Sequence, residues 1–203
     1  MKLCYSPTSP YVRKASVTIR ECGLEDRVEL IPTNPWDPTT DLPTHNPIGK
    51  VPALITDDGQ PLFDSPVICE YLDSLHHGDK LYPPTGATRW SALRQQALAD
   101  GILDAAVLAF LEIAKRPEQY CWSDWVKRQK SAMQRSLDAL EEESKSFGDS
   151  LTIGQIATGC ALGYLDFRFA DDNWRAGRPN LATWSETFFN RPSMVATVPK
   201  DPT

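Results

Sequence analysis

The stretch Pro47-Ile48-Gly49-Lys50-Val51-Pro52-Ala53-Leu54-Ile55, followed by Phe63-Asp64-Ser65-Pro66, constrains the fold of this chain most. Pro52 stands directly before a strand-like run, Ala53-Leu54-Ile55-Thr56. Proline has no N–H for a sheet ladder, so it belongs at a strand start, an edge or a special turn. Asp64-Ser65-Pro66 reads as a helix start, with Ser65 at the N-cap and proline at the first helical position. A backbone turn and a helix N-terminus thus lie close together in the chain. That arrangement suits an anionic, peptide-like ligand.

The remaining pattern gives this pair a scaffold. Lys2–Tyr5 reads as a strand. Ser9-Pro10 opens a helix whose inner positions are Val12, Ala15 or Ser16, Ile19 and Cys22, and Gly23 ends it. Residues 27–31 form a second strand. Four prolines (32, 35, 38 and 43) make residues 32–46 an irregular connection with room for one short helix. Residues 51–56 and 61–63 form a hairpin across Asp57-Asp58-Gly59-Gln60. A helix over 65–75 turns Val67, Ile68, Tyr71, Leu72 and Leu75 inward. The order βαβ-(α)-ββα predicts an α/β domain with a small mixed sheet over residues 1–76. Residues 77–86, polar and rich in Pro and Gly, read as a linker.

An all-helical domain is expected over 87–203. Its helices run over 87–115, ending near Pro117, and 119–147, with Trp122, Val126, Met133, Leu137 and Leu140 on the buried face. Thr152-Ile153-Gly154-Gln155 has the spacing of a capping box. The helix behind it is apolar nearly all round, so it belongs inside the domain. A helix over 180–190 and a short piece after Arg191-Pro192 follow, and residues 198–203 read as a loose tail.

Bulk properties exclude several function classes. The net charge of −6 opposes a nucleic-acid partner, because phosphate neutralisation needs a basic face. The five cysteines are scattered and form no CxxC, which fits neither a zinc site nor a disulfide framework and points to a reducing compartment. Without a signal core or an 18-residue apolar run, the expectation is a cytoplasmic protein with no membrane span and no metal.

Ser9-Pro10 repeats the grammar of Ser65-Pro66. Each helix would present free N–H groups and roughly half a unit of positive charge at its start. Together the two ends would hold two anionic groups; separately, both serines read as plain caps. Ser9 lies just after a strand, where open α/β sheets bind ligands. Only His45, His76 and His77 occur, with no acid–His arrangement to activate Ser9, so a serine hydrolase is not expected. A hydroxyl without a base still donates to an anion. A thiolate suits it, since a hydrogen bond and a helix N-terminus both lower a thiol pKa from about 8.5. Asp100 and Asp104, four apart on one helix face, read either as paired acid/base carboxylates or as a solvated face.

These residues carry a resemblance. Ser9-Pro10-Tyr11-Val12-Arg13, Asn46-Pro47-Ile48-Gly49-Lys50-Val51-Pro52-Ala53-Leu54 and Phe63-Asp64-Ser65 leading into Ile68-Cys69-Glu70-Tyr71-Leu72 resemble the thioredoxin-like half of a glutathione S-transferase. Ala99-Asp100-Gly101, the capping-box helix with Asp166, and Arg191-Pro192-Ser193 resemble its helical half. The general type is a bacterial, serine-type enzyme. The resemblance implies that Pro52 is cis and that Val51 binds the cysteinyl backbone of glutathione as an added strand. It implies that Ser65 holds the γ-glutamyl carboxylate, Asp64 the γ-glutamyl ammonium, and Lys50 the glycine carboxylate. Ser9 would stabilise the thiolate, with Thr8 the runner-up. Lys50 also reads as a solvated loop lysine, and Asp64 as a helix-start acid.

The resemblance further implies a homodimer in which Asp100 reaches towards the partner's glutathione, with Ala97 and Gly101 allowing close helix approach. Thr8, Phe110 and Tyr164 are candidate residues of an acceptor pocket, the two aromatics reading alternatively as simple core. The expected activity is glutathione transfer to a small hydrophobic electrophile, of the kind used in detoxification, with glutathione as co-substrate. The alternatives are a non-catalytic glutathione- or ligand-binding relative, or a glutathione-dependent peroxidase or reductase. No cysteine occupies positions 8–11, which argues against the thiol-transferase and dehydroascorbate-reductase branches; Cys4 reads as core.

Overall fold

The structure is a computed structural model, and it describes residues 1–201. It divides into two compact units: Met1–Pro84 together with the chain from Pro192 onward, and Thr85–Arg191. The sequence placed everything after residue 86 in the helical domain. Instead, the last ten or so described residues return to the first unit.

The first unit holds a four-stranded sheet in the order β2-β1-β3-β4, from β1 (Lys2–Tyr5), β2 (Glu29–Pro32), β3 (Leu54–Ile55) and β4 (Pro61–Leu62). β1 and β2 pair in parallel; β1–β3 and β3–β4 are antiparallel. This is the expected mixed sheet, with shorter hairpin strands than the periodicity suggested. Helices α1 (Pro10–Glu21), α2 (Leu42–His45) and α3 (Ser65–Ser74) belong to the same unit. Cys4, Leu42 and Ala53 form a buried cluster, so Cys4 is core as expected.

The buried stripe of α3 is Ser65, Ile68, Cys69, Leu72 and Asp73, whereas Val67 is 46% exposed. The stripe is rotated towards Asp73 because that carboxylate is needed inside. Its oxygens accept the Leu81 N–H at 2.8 Å and the Tyr82 N–H at 3.1 Å, which fastens residues 75–82 to the helix end.

The second unit contains α4 (Gly86–Ala114), α5 (Ser123–Ser144), α6 (Ile153–Arg168) and α7 (Pro179–Phe189). Every residue of α6 from Ile153 to Leu162 is buried. At Gly154, a Cβ would fall 2.6 Å from Gln95 Oε1 and 2.9 Å from the Ala92 carbonyl, so glycine permits the close approach of α4 and α6. Helix α5 begins later than expected. Trp122 donates its N–H to Glu112 Oε1 at 2.9 Å and precedes the first turn, so its indole lies 62% exposed rather than on the buried face. No helix among the described residues is long and apolar enough to cross a membrane.

Candidate functional site

Strand register assembles the site. The antiparallel pairing of Leu3 with Leu54, extended by the Cys4 N–H to Ala53 carbonyl bond at 2.8 Å, sets the carboxyl end of β1 beside the residues that precede β3. The pairing of Leu54 with Leu62 sets the end of β4 beside the same residues. One end of the sheet therefore gathers the loop after β1 (Thr8, Ser9), the entry to β3 (Lys50, Val51, Pro52) and the start of α3 (Asp64, Ser65).

At the first of these, Ser6-Pro7-Thr8-Ser9 folds into a turn closed by the Ser9 N–H on the Ser6 carbonyl at 3.2 Å. Ser9 is the N-cap of α1: its Oγ accepts the Val12 N–H at 3.3 Å, and Pro10 follows in the first turn. The hydroxyl is an acceptor to the helix, so its own proton remains for an acceptor outside it. No acidic residue stands in the first turn to cancel the positive helix end. The Thr8 hydroxyl instead lies 3.4 Å from Ser6 Oγ.

At the second, the Val51–Pro52 bond is cis, as the resemblance implied. The loop before it is held by Asn46, which the local pattern does not single out. Asn46, 2% exposed, donates from Nδ2 to the Lys50 carbonyl at 2.7 Å and accepts the Ile48 N–H on Oδ1 at 3.0 Å. Gly49 takes φ +68° inside that loop, a conformation that favours glycine. Among the described residues no protein group bonds the N–H or C=O of Val51, which leaves a strand edge for a peptide to extend. Lys50 is exposed. The local signal for Asn46 was the Asn-Pro pair, an ordinary turn-former.

At the third, the helix starts one residue earlier than the sequence suggested. Asp64 occupies the cap position with an extended backbone and no side-chain cap bond, while Ser65 is the first helical residue and Pro66 follows. The Phe63–Asp64 bond is cis, which no sequence signal announced. Ser65 is buried, and among the described residues neither its hydroxyl nor the Ser65 and Val67 N–H groups meet a protein acceptor or donor. The Tyr82 hydroxyl donates to the Pro66 carbonyl at 3.2 Å and steadies this turn. The start of α3 thus has unpartnered N–H groups among the described residues, a geometry suited to an anion.

The remaining candidates, Asp100, Phe110 and Tyr164, belong to the second unit. Arg168 stacks its guanidinium 4.6 Å from the Phe110 ring and 3.8 Å from the Phe167 ring, beside Tyr164. Tyr164 is 5% exposed, and burial pushes its phenol up despite the neighbouring Arg168. Asp100 is half-buried, Asp104 exposed.

Cys22, Asp73 and His76 bring ligand-type atoms within 4.8 Å of one another. Their hydrogen bonding also describes a latch at the end of α3. His76 Nε2 lies 2.9 Å from Asp73 Oδ1, and Nδ1 accepts the Gly78 N–H at 3.1 Å. The Lys80 ammonium donates to the Asp73 and His76 carbonyls at the end of α3. Burial pushes the Cys22 thiol up to about 12, with Asp73 adding to the effect.

A four-stranded mixed sheet with a cis-proline loop and two helix starts at one end, followed along the chain by a helical unit, is a thioredoxin-like class of fold. The comparisons narrow it. Residues 8–75 match the glutathione S-transferase N-terminal domain and residues 123–187 the C-terminal domain, so the chain belongs to the glutathione S-transferase family. It is 37% identical over 202 residues to the uncharacterized GST-like protein YibF of Escherichia coli, covering 98% of each chain. It is 43% identical to a solved glutathione transferase family member from Pseudomonas fluorescens Pf-5 with bound S-(propanoic acid)-glutathione, at TM-score 0.91, covering 98% of this chain and 100% of that one. A solved glutathione S-transferase from Methylobacillus flagellatus with glutathione bound is 36% identical, at TM-score 0.92, covering 98% of this chain and 99% of that one.

Proposed function

We propose that the protein is a glutathione transferase that activates the glutathione thiol for attack on an electrophilic, hydrophobic acceptor. The observation that carries the reading is the single sheet end that gathers Ser9, Val51-Pro52 and Asp64-Ser65. The open start of α3 takes the γ-glutamyl carboxylate on Ser65 and its N–H groups, with Asp64 for the ammonium. The free edge of Val51 pairs with the cysteinyl backbone, and exposed Lys50 faces the glycine carboxylate. The thiol is thereby directed to Ser9. There the hydroxyl and the positive end of α1 favour the thiolate, its proton leaving to solvent. The sulfur then bonds to the acceptor carbon as the leaving group departs or a conjugated double bond is saturated. The gain comes from a larger thiolate fraction and from proximity.

Bound glutathione in the Methylobacillus protein, and a carboxylated glutathione thioether in the Pseudomonas one, support this reading. Phe110 and Tyr164 are assigned to the acceptor side, Asp100 to a contact with the partner's glutathione in a homodimer, and the protein to the cytoplasm.

The test is conjugation of a chlorinated nitroaromatic as a function of pH. Ser9→Ala is expected to lower kcat/KM about 100-fold near neutrality and to move the rising limb towards the pKa of a free thiol, about 8.5. Thr8→Ala keeps that limb in place. The converse pattern transfers the role to Thr8.

A further inference from the structure

The helix that carries Ser9 at its start also holds the end of the chain along its side. In α8 (Pro192–Val195), which packs on α1, the Ser193 hydroxyl donates to Glu21 Oε1 at the far end of α1. Arg13, 8% exposed and four residues from Ser9, donates from Nη2 to the Met194 carbonyl at 3.2 Å and from Nε to Thr197 Oγ1 at 3.5 Å. Thr197 in turn donates to the Ser193 carbonyl at 2.8 Å. Beyond it, the Lys200 N–H donates to the Pro7 carbonyl at 3.4 Å. The segment thus runs from the C-terminal end of α1 to its N-terminal end and finishes on the turn that presents Ser9. It is not the loose tail that the sequence suggested; residues 202 and 203 lie outside the described residues.

A buried guanidinium bonded to a backbone carbonyl is a costly anchor unless its geometry is kept. At its far side the Ser6–Ser9 turn is fixed to α1 through Ser9, which accepts the Val12 and Arg13 N–H groups; within the turn itself, among the described residues, it is closed by the Ser9 N–H on the Ser6 carbonyl at 3.2 Å and the hydroxyl pair of Ser6 and Thr8. We propose that residues 192–200 are a strap that positions Ser9. It fixes the Pro7 peptide, and with it the direction in which the Ser9 hydroxyl donates. Lys200 acts here through its backbone N–H, making it a positioning residue and not a catalytic one. The inference rests on the reading of Ser9 as the hydrogen-bond donor to the thiolate.

The test compares Lys200→Pro, which deletes the N–H, with Lys200→Ala, which keeps it, and with a chain ending at Val198. Melting temperature, KM for glutathione and the pH profile of kcat/KM for the chlorinated nitroaromatic are measured for each, beside Ser9→Ala. The expected result is a rising limb displaced to higher pH and kcat lowered about fivefold to tenfold in Lys200→Pro and in the shortened chain relative to Lys200→Ala. Melting temperatures should stay together. Coincident profiles for Lys200→Pro and Lys200→Ala, with Ser9→Ala displaced, overturn the strap and leave the role of Ser9 standing. A profile unmoved by Ser9→Ala itself removes both. A matching loss of melting temperature and activity in Lys200→Pro, with no displacement of the limb, overturns the strap as a positioning device.

Discussion

Helix starts in the two units are finished differently. In the helical unit two of them, at α6 and α7, are closed by side chains, while α4 and α5 carry no side-chain cap. Helix α6 opens with a capping box in which Gln155 Oε1 accepts the Thr152 N–H at 2.9 Å. Helix α7 has no side-chain cap of its own, but Glu141 reaches in from α5, 8% exposed, and accepts the Asn180 N–H at 3.1 Å and the Leu181 N–H at 2.8 Å. In the first unit they are left open. Ser9 closes one donor of α1 and keeps its proton, and α3 has no side-chain cap. Four N–H groups at every helix start must meet an acceptor somewhere. Supplied by the chain, the acceptor yields stability; supplied by an anionic ligand, the same geometry yields a binding site.

Removing a carboxylate from a closed start should give the largest stability effect. Glu141→Ala is expected to cost about 2–3 kcal/mol in urea unfolding, because the Asn180 and Leu181 donors lose a charged acceptor, while glutathione affinity is unchanged. That difference has a pH signature. Burial alone would raise the Glu141 carboxyl, but the N–H groups of Leu181 and Asn180 and the Asn180 amide outweigh it and hold the group below its ordinary value. A lowered folded-state pKa contributes stability that is full above the unfolded value and is lost as pH falls through the folded one. The urea midpoints of the native chain and Glu141→Gln should therefore be furthest apart near neutrality and converge below about pH 4.

An open start should respond the other way. Ser65→Ala should weaken glutathione binding about tenfold by calorimetry, near the worth of one hydrogen bond to a charged group, and shift unfolding by less than about 0.5 kcal/mol. Ser9→Ala sits between the two, because its hydroxyl caps the helix and, in the proposed reading, also faces the thiolate. An unfolding loss of about 1 kcal/mol is expected on top of its kinetic effect. Equal stability losses for Ser9→Ala and Ser65→Ala would break the contrast between the two serines.

What was legible in the sequence was local. The strand Lys2–Tyr5, the Ser9-Pro10 cap, the Asp-Gly hairpin and the Thr152–Gln155 box each depend on residues within a few positions, and Ser65-Pro66 marks a helix start that lies one residue from its observed cap. The cis state of Pro52 came from the family resemblance, since about 5–6% of X–Pro bonds are cis and nothing nearby distinguishes this one. The rest depends on distant partners. Trp122 follows the apolar spacing of α5, yet Glu112 holds its N–H before the helix begins. Val67 follows the spacing of α3, yet Asp73 must face inward to meet Leu81 and Tyr82. The return of the chain end to α1 depends on Glu21 meeting Ser193, 172 positions away. No window along the chain contains that pair.

The Asn46 clamp has a consequence in time rather than in space. With the Lys50 carbonyl and Ile48 N–H both held by one buried side chain, the edge at Val51 keeps its shape before a ligand arrives. A peptide docking there meets a surface that need not reorganise, so only its own freedom is lost. Association should then proceed in a single step at a rate governed by encounter. In Asn46→Ala, a slow second phase independent of ligand concentration would appear as the loop searches for its bound form.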